Sequence, residues 1–382
     1  MKKIGILTIN DYNNYGNRLQ NYASQEVLKS FGYSVETIVN TSNIKENEKN
    51  KLSKAVSKIS IIKNKSFNEF FMHLNKSVNL KIKSTFYKRI YLGRLKAFKG
   101  FTKSYIKETD FKIFEDNVPV DLANEYDYFI TGSDQVWNPN FRKGSSIDFL
   151  TFAPKEKRIA YAPSFGISEI PADYVRNYKI WLSEMEHVSV REVAGAKIIK
   201  DLTGRDAAVL VDPTLMLTEE KWLSVSKIPT NKPKKYLLTY FLGGISKDKK
   251  KIILEIAKKN DLEIVNLGQL SNQVAYQAGP GEFINYINSA NVFLTDSFHG
   301  CVFSILFNTP FIVFDRDGKL PSMNSRIDTL LSTFKLESRL AKNIKTNEQI
   351  FEVDYSHVGP ILEAERNKAM NYLKTALSVD EF

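Results

Sequence analysis

Along this chain, short runs of consecutive apolar residues alternate with longer stretches whose apolar positions recur every three or four residues. The first kind predicts strands buried on both faces, the second helices with one face in a core. "IGILTI" (4–9) is the first run, followed by a helical stretch "GNRLQNYASQEVLKSFGY" and a second strand, "SVETIV" (34–39). Further along, "YDYFITG" (126–132), "RIAYAPSFG" (158–166), "HVSVR" (187–191) and "AAVLVDPT" (207–214) continue the strand series. "PADYVRNYKIWLSEME" and "EVAGAKIIKDLTG" supply helices between the last three. A polar stretch with two prolines, "LSVSKIPTNKPKK" (223–235), reads as a linker. A second series then begins, with strands "YLLTYFLGG" (236–244), "EIVNLG" (263–268), "NVFLTDS" (291–297) and "PFIVFDR" (310–316). The predicted architecture is α/β, with two doubly wound Rossmann-like domains facing a cleft. Residues 1–222 form the first domain, 223–235 the linker, 236–355 the second domain and 356–382 a terminal helix.

Composition supports this and narrows the function classes. At 382 residues and 43% hydrophobic content, two well-filled cores are expected. The single cysteine, Cys301, excludes an internal disulfide and a cysteine-rich metal site. Four histidines at 73, 187, 299 and 357 show no metal-ligand spacing, so no metal is expected. The start "MKKIGILTIN" matches neither a signal peptide nor an anchor, so a cytoplasmic protein is expected.

The net charge of +11 is unevenly spread. From Lys45 to Lys107 there are 17 Lys/Arg and 3 Glu, so that segment carries 17 − 3 = +14 and the remainder 11 − 14 = −3. Within it Phe70, Phe71, Leu74, Val78 and Leu80, then Phe86, Ile90, Leu92, Leu95 and Phe98, recur at helical intervals. A basic helical insertion at about 45–107 is predicted. It is either a solvated face or a surface for anionic membrane lipid or a lipid-linked phosphate. Nucleic acid is disfavoured, because no nucleic-acid motif accompanies the charge.

Four strand ends carry polar residues that are candidates for a site, and a fifth reads differently. "NYGNRLQ" places Asn17, Arg18 and Gln20 at a helix start, as either an anion-binding turn or a capped loop. "GSDQVWNP" offers Asp134 and Gln135 for sugar hydroxyls and Trp137 for stacking on a pyranose, or else a plain strand-to-loop turn. "VSVRE" carries Arg191, either a clamp for carboxylate or phosphate or a surface ion pair. "VDPT" (211–214) reads as part of the domain junction. "TDSFHG" puts Ser297, His299 and Gly300 where a strand ends and a helix begins, with free backbone N–H groups for an anion. A histidine there is either structural or a general acid or phosphate donor.

Taken together and in order, "NYGNRLQNYA", "GSDQVWNP", "VSVRE", "VDPT" and "DSFHGCVFSILFNTPF" resemble the polysaccharide pyruvyltransferase family. The resemblance covers residues 4 to about 334 and implies a GT-B-like pair of domains with the active site between them. It also implies transfer of the enolpyruvyl group of phosphoenolpyruvate to two hydroxyls of a hexose, closing a ketal and releasing phosphate, without a cofactor. The acceptor would be a bacterial capsule, exopolysaccharide or cell-wall glycan, or its polyprenyl-diphosphate-linked precursor. By resemblance His299 and Asp134 are catalytic. Arg191, Ser297, Gly300 and Arg326 bind the donor, and Asn17, Arg18, Gln20, Gln135 and Trp137 bind the acceptor. Some members carry an arginine two residues before the histidine, where this chain has Ser297, so Arg191 or Arg326 would have to hold that anion. Two competing readings are a GT-B glycosyltransferase using a nucleotide sugar and a non-catalytic glycan-binding scaffold.

Overall fold

A computed structural model describes residues 1–40, 88–269, 272–316 and 325–379. Most of the predicted basic insertion, residues 45–87 of 45–107, lies outside these residues. Two parallel sheets carry the fold. The first has seven strands in the order β3-β2-β1-β4-β5-β6-β7. These are β1 (Lys3–Leu7), β2 (Ser34–Asn40), β3 (Glu108–Ile113), β4 (Tyr128–Thr131), β5 (Arg158–Ala160), β6 (His187–Val190) and β7 (Ala208–Val209). The second has four, in the order β11-β10-β8-β9, from β8 (Tyr236–Tyr240), β9 (Glu263–Asn266), β10 (Val292–Thr295) and β11 (Phe311–Val313). Strand order reverses beside β1 in the first sheet and beside β8 in the second. Loops leaving the strands' carboxyl ends diverge at such points and leave a crevice for a ligand.

The expected doubly wound α/β architecture is present. The strands are shorter than the apolar runs, because each run continues past the sheet into the loop that builds the crevice. "AAVLVDPT" keeps only two residues in β7, and Asp212 then caps a short helical turn, Pro213–Met216. Glu108–Ile113 is an additional strand at the sheet edge; its exposed stretch Asp110, Phe111 and Lys112 mixes polar and apolar residues and hides it from a hydrophobic pattern.

Helix α1 (Tyr15–Ser30) is buried on nearly every side, from Tyr15 through Gln25. One side covers the first sheet and the other faces the second domain. There Tyr15 stacks on Phe283 of α6 (Pro280–Asn288) at 4.2 Å between ring centroids. Farther along, Tyr22 meets Trp222 at 5.5 Å, and Trp222 meets Phe303 of α7 (Phe298–Leu306) at 4.8 Å. Together these rings make an apolar wall that joins the two sheets' cores into one cluster.

A helix at 88–105, α2, adds to that wall. Ile90, Arg94, Phe98 and Phe101 are buried at helical spacing, whereas Leu92, expected on the apolar face, is exposed. The Arg94 guanidinium donates to Tyr15 Oη at 2.8 Å, Tyr276 O at 2.8 Å and Asn13 O at 3.0 Å, bracing the α1 entry loop against the second domain. The other longer helices among the described residues are α3 (Ala172–Ser183), α4 (Val193–Thr203), α5 (Lys247–Lys259), α8 (Ser325–Thr333) and α9 (Val358–Ala376). Helix α9 returns to the first domain. Its Arg366 donates to Leu215 O and Leu217 O at 2.7 Å each, and Tyr372 Oη donates to Ala160 O at 2.8 Å.

Candidate active site

The crevice is assembled from strand ends of both sheets. After β4 the chain turns through Gly132, whose φ of +118° and closeness to the Tyr161 carbonyl leave no room for a side chain. The following Ser133 N donates to Gln20 Oε1 at 3.1 Å, while Gln20 Nε2 donates to Thr8 Oγ1 at 2.7 Å. These bonds fix the next residue, Asp134, with its carboxylate in the crevice. Asn17 Nδ2 donates to Asp134 Oδ2, and Gln135 N donates to Oδ1 at 2.8 Å.

Arg191, at the end of β6, joins two carboxylates. One arm reaches Asp212 Oδ2 and the other lies 3.4 Å from Asp134 Oδ1. Its guanidinium sits 4.3 Å from the Phe298 ring centre. Asp212 is wholly buried and saturated with donors: Ser133 Oγ at 2.8 Å, Thr214 N at 3.0 Å and Thr214 Oγ1 at 2.6 Å.

The second domain supplies the start of α7. Ser297 caps it, its Oγ accepting from Gly300 N at 3.2 Å. His299 falls in the first turn, with Nε2 3.6 Å from Asp212 Oδ2. Its Nδ1 side faces Gly16 in the first turn of α1, so the imidazole bridges the two domains. From α8, Arg326 brings Nη1 to 3.9 Å from Asp134 Oδ1. A cavity of about 390 Å³ lies among Asn17, Asp134, Gln135, Ser297, His299 and Arg326.

Burial would raise both aspartates. For Asp134 the charges of Arg191, His299 and Arg326 outweigh it and hold the carboxyl below its ordinary value. For Asp212 those of His299 and Arg191 do so. Burial first, then the Arg191 charge, pulls Arg326 down to about 10, which still leaves it cationic at neutral pH. At the crevice, Asp134, Arg326 and His299 face the cavity with Arg191 and Asp212 behind them, and Asp11, Arg142 and Arg316 complete its charged lining. That set can clamp an anion and move a proton beside it. Among the described residues no cluster of His, Cys, Asp and Glu could hold a metal.

Sequence-predicted residues divide accordingly. Asn17, Asp134, Gln135, Ser297, His299 and Arg326 meet at the cavity, and Arg191 sits behind it. Trp137 does not: it is fully buried, stacked on Phe149 at 5.1 Å with Nε1 donating to Asp148 O at 3.0 Å. No face is left for a sugar. Arg18 is also fully buried, paired with Glu108 Oε1 at 2.7 Å and donating to Ile9 O at 3.1 Å. It braces the loop after β1. Gln20 braces the Ser133 turn, and Gly300 lets α7 approach Phe293 and Thr295 closely.

Two residues were missed. Asp212, read as junction, holds Arg191 and faces His299; the signal was an acid ending an apolar run immediately before Pro. Gly16 was the other. A Cβ there would lie 2.8 Å from His299 Cγ and closer still to Nδ1. Gly16→Ala is expected to displace the imidazole while α1 stays intact. Turnover should fall about 10²-fold, the scale of an ångström of misplacement, with little change in Tm by differential scanning fluorimetry.

Comparison with solved structures supports the fold. A Listeria monocytogenes protein assigned to the UDP-N-acetylglucosamine 2-epimerases aligns over 100% of this chain and 97% of its own, with a TM-score of 0.50 and 8% identity. The UDP complex of Staphylococcus aureus MnaA aligns over 100% and 98%, with a TM-score of 0.49 and 10% identity. At such identity the first of these speaks for a GT-B-like fold alone. No curated protein matches the chain. The profile of the polysaccharide pyruvyl transferases matches residues 14–318, from the α1 entry loop past β11 and so across both halves of the crevice. On that match the chain belongs to the polysaccharide pyruvyl transferase family.

Proposed function

We propose that this protein transfers the enolpyruvyl unit of phosphoenolpyruvate to two hydroxyls of a hexose in a bacterial surface glycan or its lipid-linked precursor. The observation that carries the reading is the pairing of His299 with Asp212 beside two buried guanidiniums, Arg191 and Arg326, at the interdomain crevice. The donor is a small molecule with a carboxylate and a phosphate. Two arginines and the first N–H groups of α7 suit it, and the Ser297 hydroxyl can donate to it while its oxygen caps the helix.

In this mechanism the protonated His299 gives its proton to C3 of the donor. Asp212 steadies the imidazolium orientation, and C2 becomes an oxocarbenium-like centre. The first sugar hydroxyl forms a bond to C2, and the oxygen-bound proton, now strongly acidic, passes to Asp134. A carboxylate held below its ordinary pKa is a weak base, and a weak base suffices for so acidic a proton. The C2–O bond to phosphate then breaks, its electron pair leaving on the phosphate beside Arg191 and Arg326. The second hydroxyl closes the ketal. Of the two hydroxyl protons released, one restores His299 and the other leaves with phosphate. No cofactor is required.

Incubation with phosphoenolpyruvate and a panel of lipid-linked mono- and disaccharides should release phosphate only with an acceptor bearing a suitable hydroxyl pair. Silence across the panel, with thermal stabilisation by a nucleotide sugar instead, would favour a glycosyltransferase.

The acceptor's lipid anchor motivates one more expectation. The outer face of α2 exposes Lys88, Arg89, Lys96, Lys99 and Lys103 around an exposed Leu92, and the helix contains no acid. No described helix is long and apolar enough to cross a membrane. We expect this face to rest on anionic lipid, each basic side chain contributing about 1 kcal/mol. Wild type should sediment with phosphatidylserine vesicles at low salt and release at high salt. A variant with all five changed to Gln should stay in the supernatant; equal, salt-insensitive sedimentation of both would contradict it.

A further inference from the structure

A second cavity, of about 230 Å³, lies on the far side of Phe298 from the crevice. The two cavities share Phe298 and Arg326, which form the partition between them. Arg191 lines the rear cavity, with Thr329 and Thr333 of α8 and Lys368 of α9. Both guanidiniums stack on the partition, 4.3 Å and 5.9 Å from the Phe298 ring centre.

Arg191 and Arg326 are 3% and 5% exposed, and the Nε of each has no hydrogen-bond partner among the described residues. A buried guanidinium donor left unpaired is costly, and an anion drawn into reach of it would remove that cost. Two carboxylates also line this cavity. Asp212 is already saturated by Arg191, Ser133 and Thr214, and Glu365 lies 3.9 Å from Lys368. With Lys368, three cations face two anions, leaving one net positive charge beside the Thr329 and Thr333 hydroxyls in a small chamber whose other walls are mostly apolar, which fits a small anion better than a glycan.

We infer that the rear cavity is a phosphate site, a back door through which the leaving phosphate departs while the glycan fills the front crevice. It deepens the pyruvyl-transfer reading, because that reaction deposits phosphate at the shared Arg326, beside Arg191. Phosphate then moves past Phe298 from one face of Arg326 to the other, no bond being made or broken.

The experiment measures binding of inorganic phosphate to the full-length protein by isothermal titration calorimetry, without donor or acceptor. Thr329→Leu and Thr333→Leu together narrow the rear cavity without touching His299, and the exposed Lys368→Glu reverses one of its charges without disturbing a core. Wild type should bind one phosphate; each variant should weaken it at least tenfold, and in turnover phosphate product inhibition should relax while acceptor KM stays the same. Unaltered phosphate affinity in both variants would place the anion in the front crevice and overturn the back door. So would absence of phosphate binding to wild type. Phosphate binding lost in the variants, with no turnover of phosphoenolpyruvate by wild type, would retain the anion site and reject the pyruvyl-transfer reading instead.

Discussion

His299→Asn is expected to lower kcat and kcat/KM by the same factor, about 10³, with the fold retained and only a small change in melting temperature. The factor is what a positioned general acid contributes, and equal losses mark an interaction made only in the transition state. Asn keeps a polar side chain of similar reach but carries no transferable proton. The fold should tolerate the change, because His299 Nε2 has no hydrogen-bond partner and its contact with Asp212 is 3.6 Å. Asp212 stays satisfied by Ser133, Thr214 and Arg191 without it. Stopped-flow phosphate release and scanning fluorimetry on the same samples check both halves of the expectation. A variant that loses activity only because it melts earlier would point to a structural histidine.

Arg191→Ala is expected to have the largest effect on stability. It strips the guanidinium from two buried carboxylates at once, Asp212 and Asp134. Breaking a buried pair from one side costs about 3–5 kcal/mol, because the carboxylate left behind has lost its water as well. Arg191→Lys should recover only part of this, since an ammonium cannot span both aspartates as the fork does. The pH dependence gives an independent sign. Both carboxyls lie below their ordinary values in the folded protein, so on acidification the unfolded chain takes up protons first. Wild-type stability from this cluster is fully present above about pH 4, where an unfolded aspartate ionises, and is lost as pH falls below it. With Arg191 gone the depression shrinks, so the acid slope of urea-unfolding free energy should flatten below pH 4. An unchanged slope would mean Arg191 does not set these carboxyls.

Much of this arrangement is legible in the sequence. The apolar runs locate the strands of both sheets except the exposed edge strand at Glu108–Ile113, whose two apolar residues, Phe111 and Ile113, are separated by Lys112 and make no continuous run. Polar residues at the runs' ends pointed to the crevice because parallel strands all deliver their carboxyl ends to one side. What the pattern could not convey was depth. Trp137 and Arg18 sit within the same motifs as Asp134 and Asn17, yet both are fully buried. Whether a residue faces the crevice or the core depends on how the loop turns, and here Gly132 and the Gln20 brace determine that turn. Asp212 was misread for a related reason: "VDPT" is a helix cap locally, and only the folded chain brings it 3.6 Å from a histidine 87 positions away. Gly16 was invisible because its purpose is the space it leaves for a side chain from the other domain.

The central claim is that the crevice protonates C3 of phosphoenolpyruvate and closes a ketal on two sugar hydroxyls. Its most direct test is mass spectrometry of acceptor incubated with wild type and phosphoenolpyruvate in D2O. The account predicts a product heavier by one pyruvate ketal whose methyl group carries a single solvent deuterium, equimolar with phosphate released, and no such product from His299→Asn. A product without solvent deuterium, or one that retains phosphorus or a vinyl group, would contradict it.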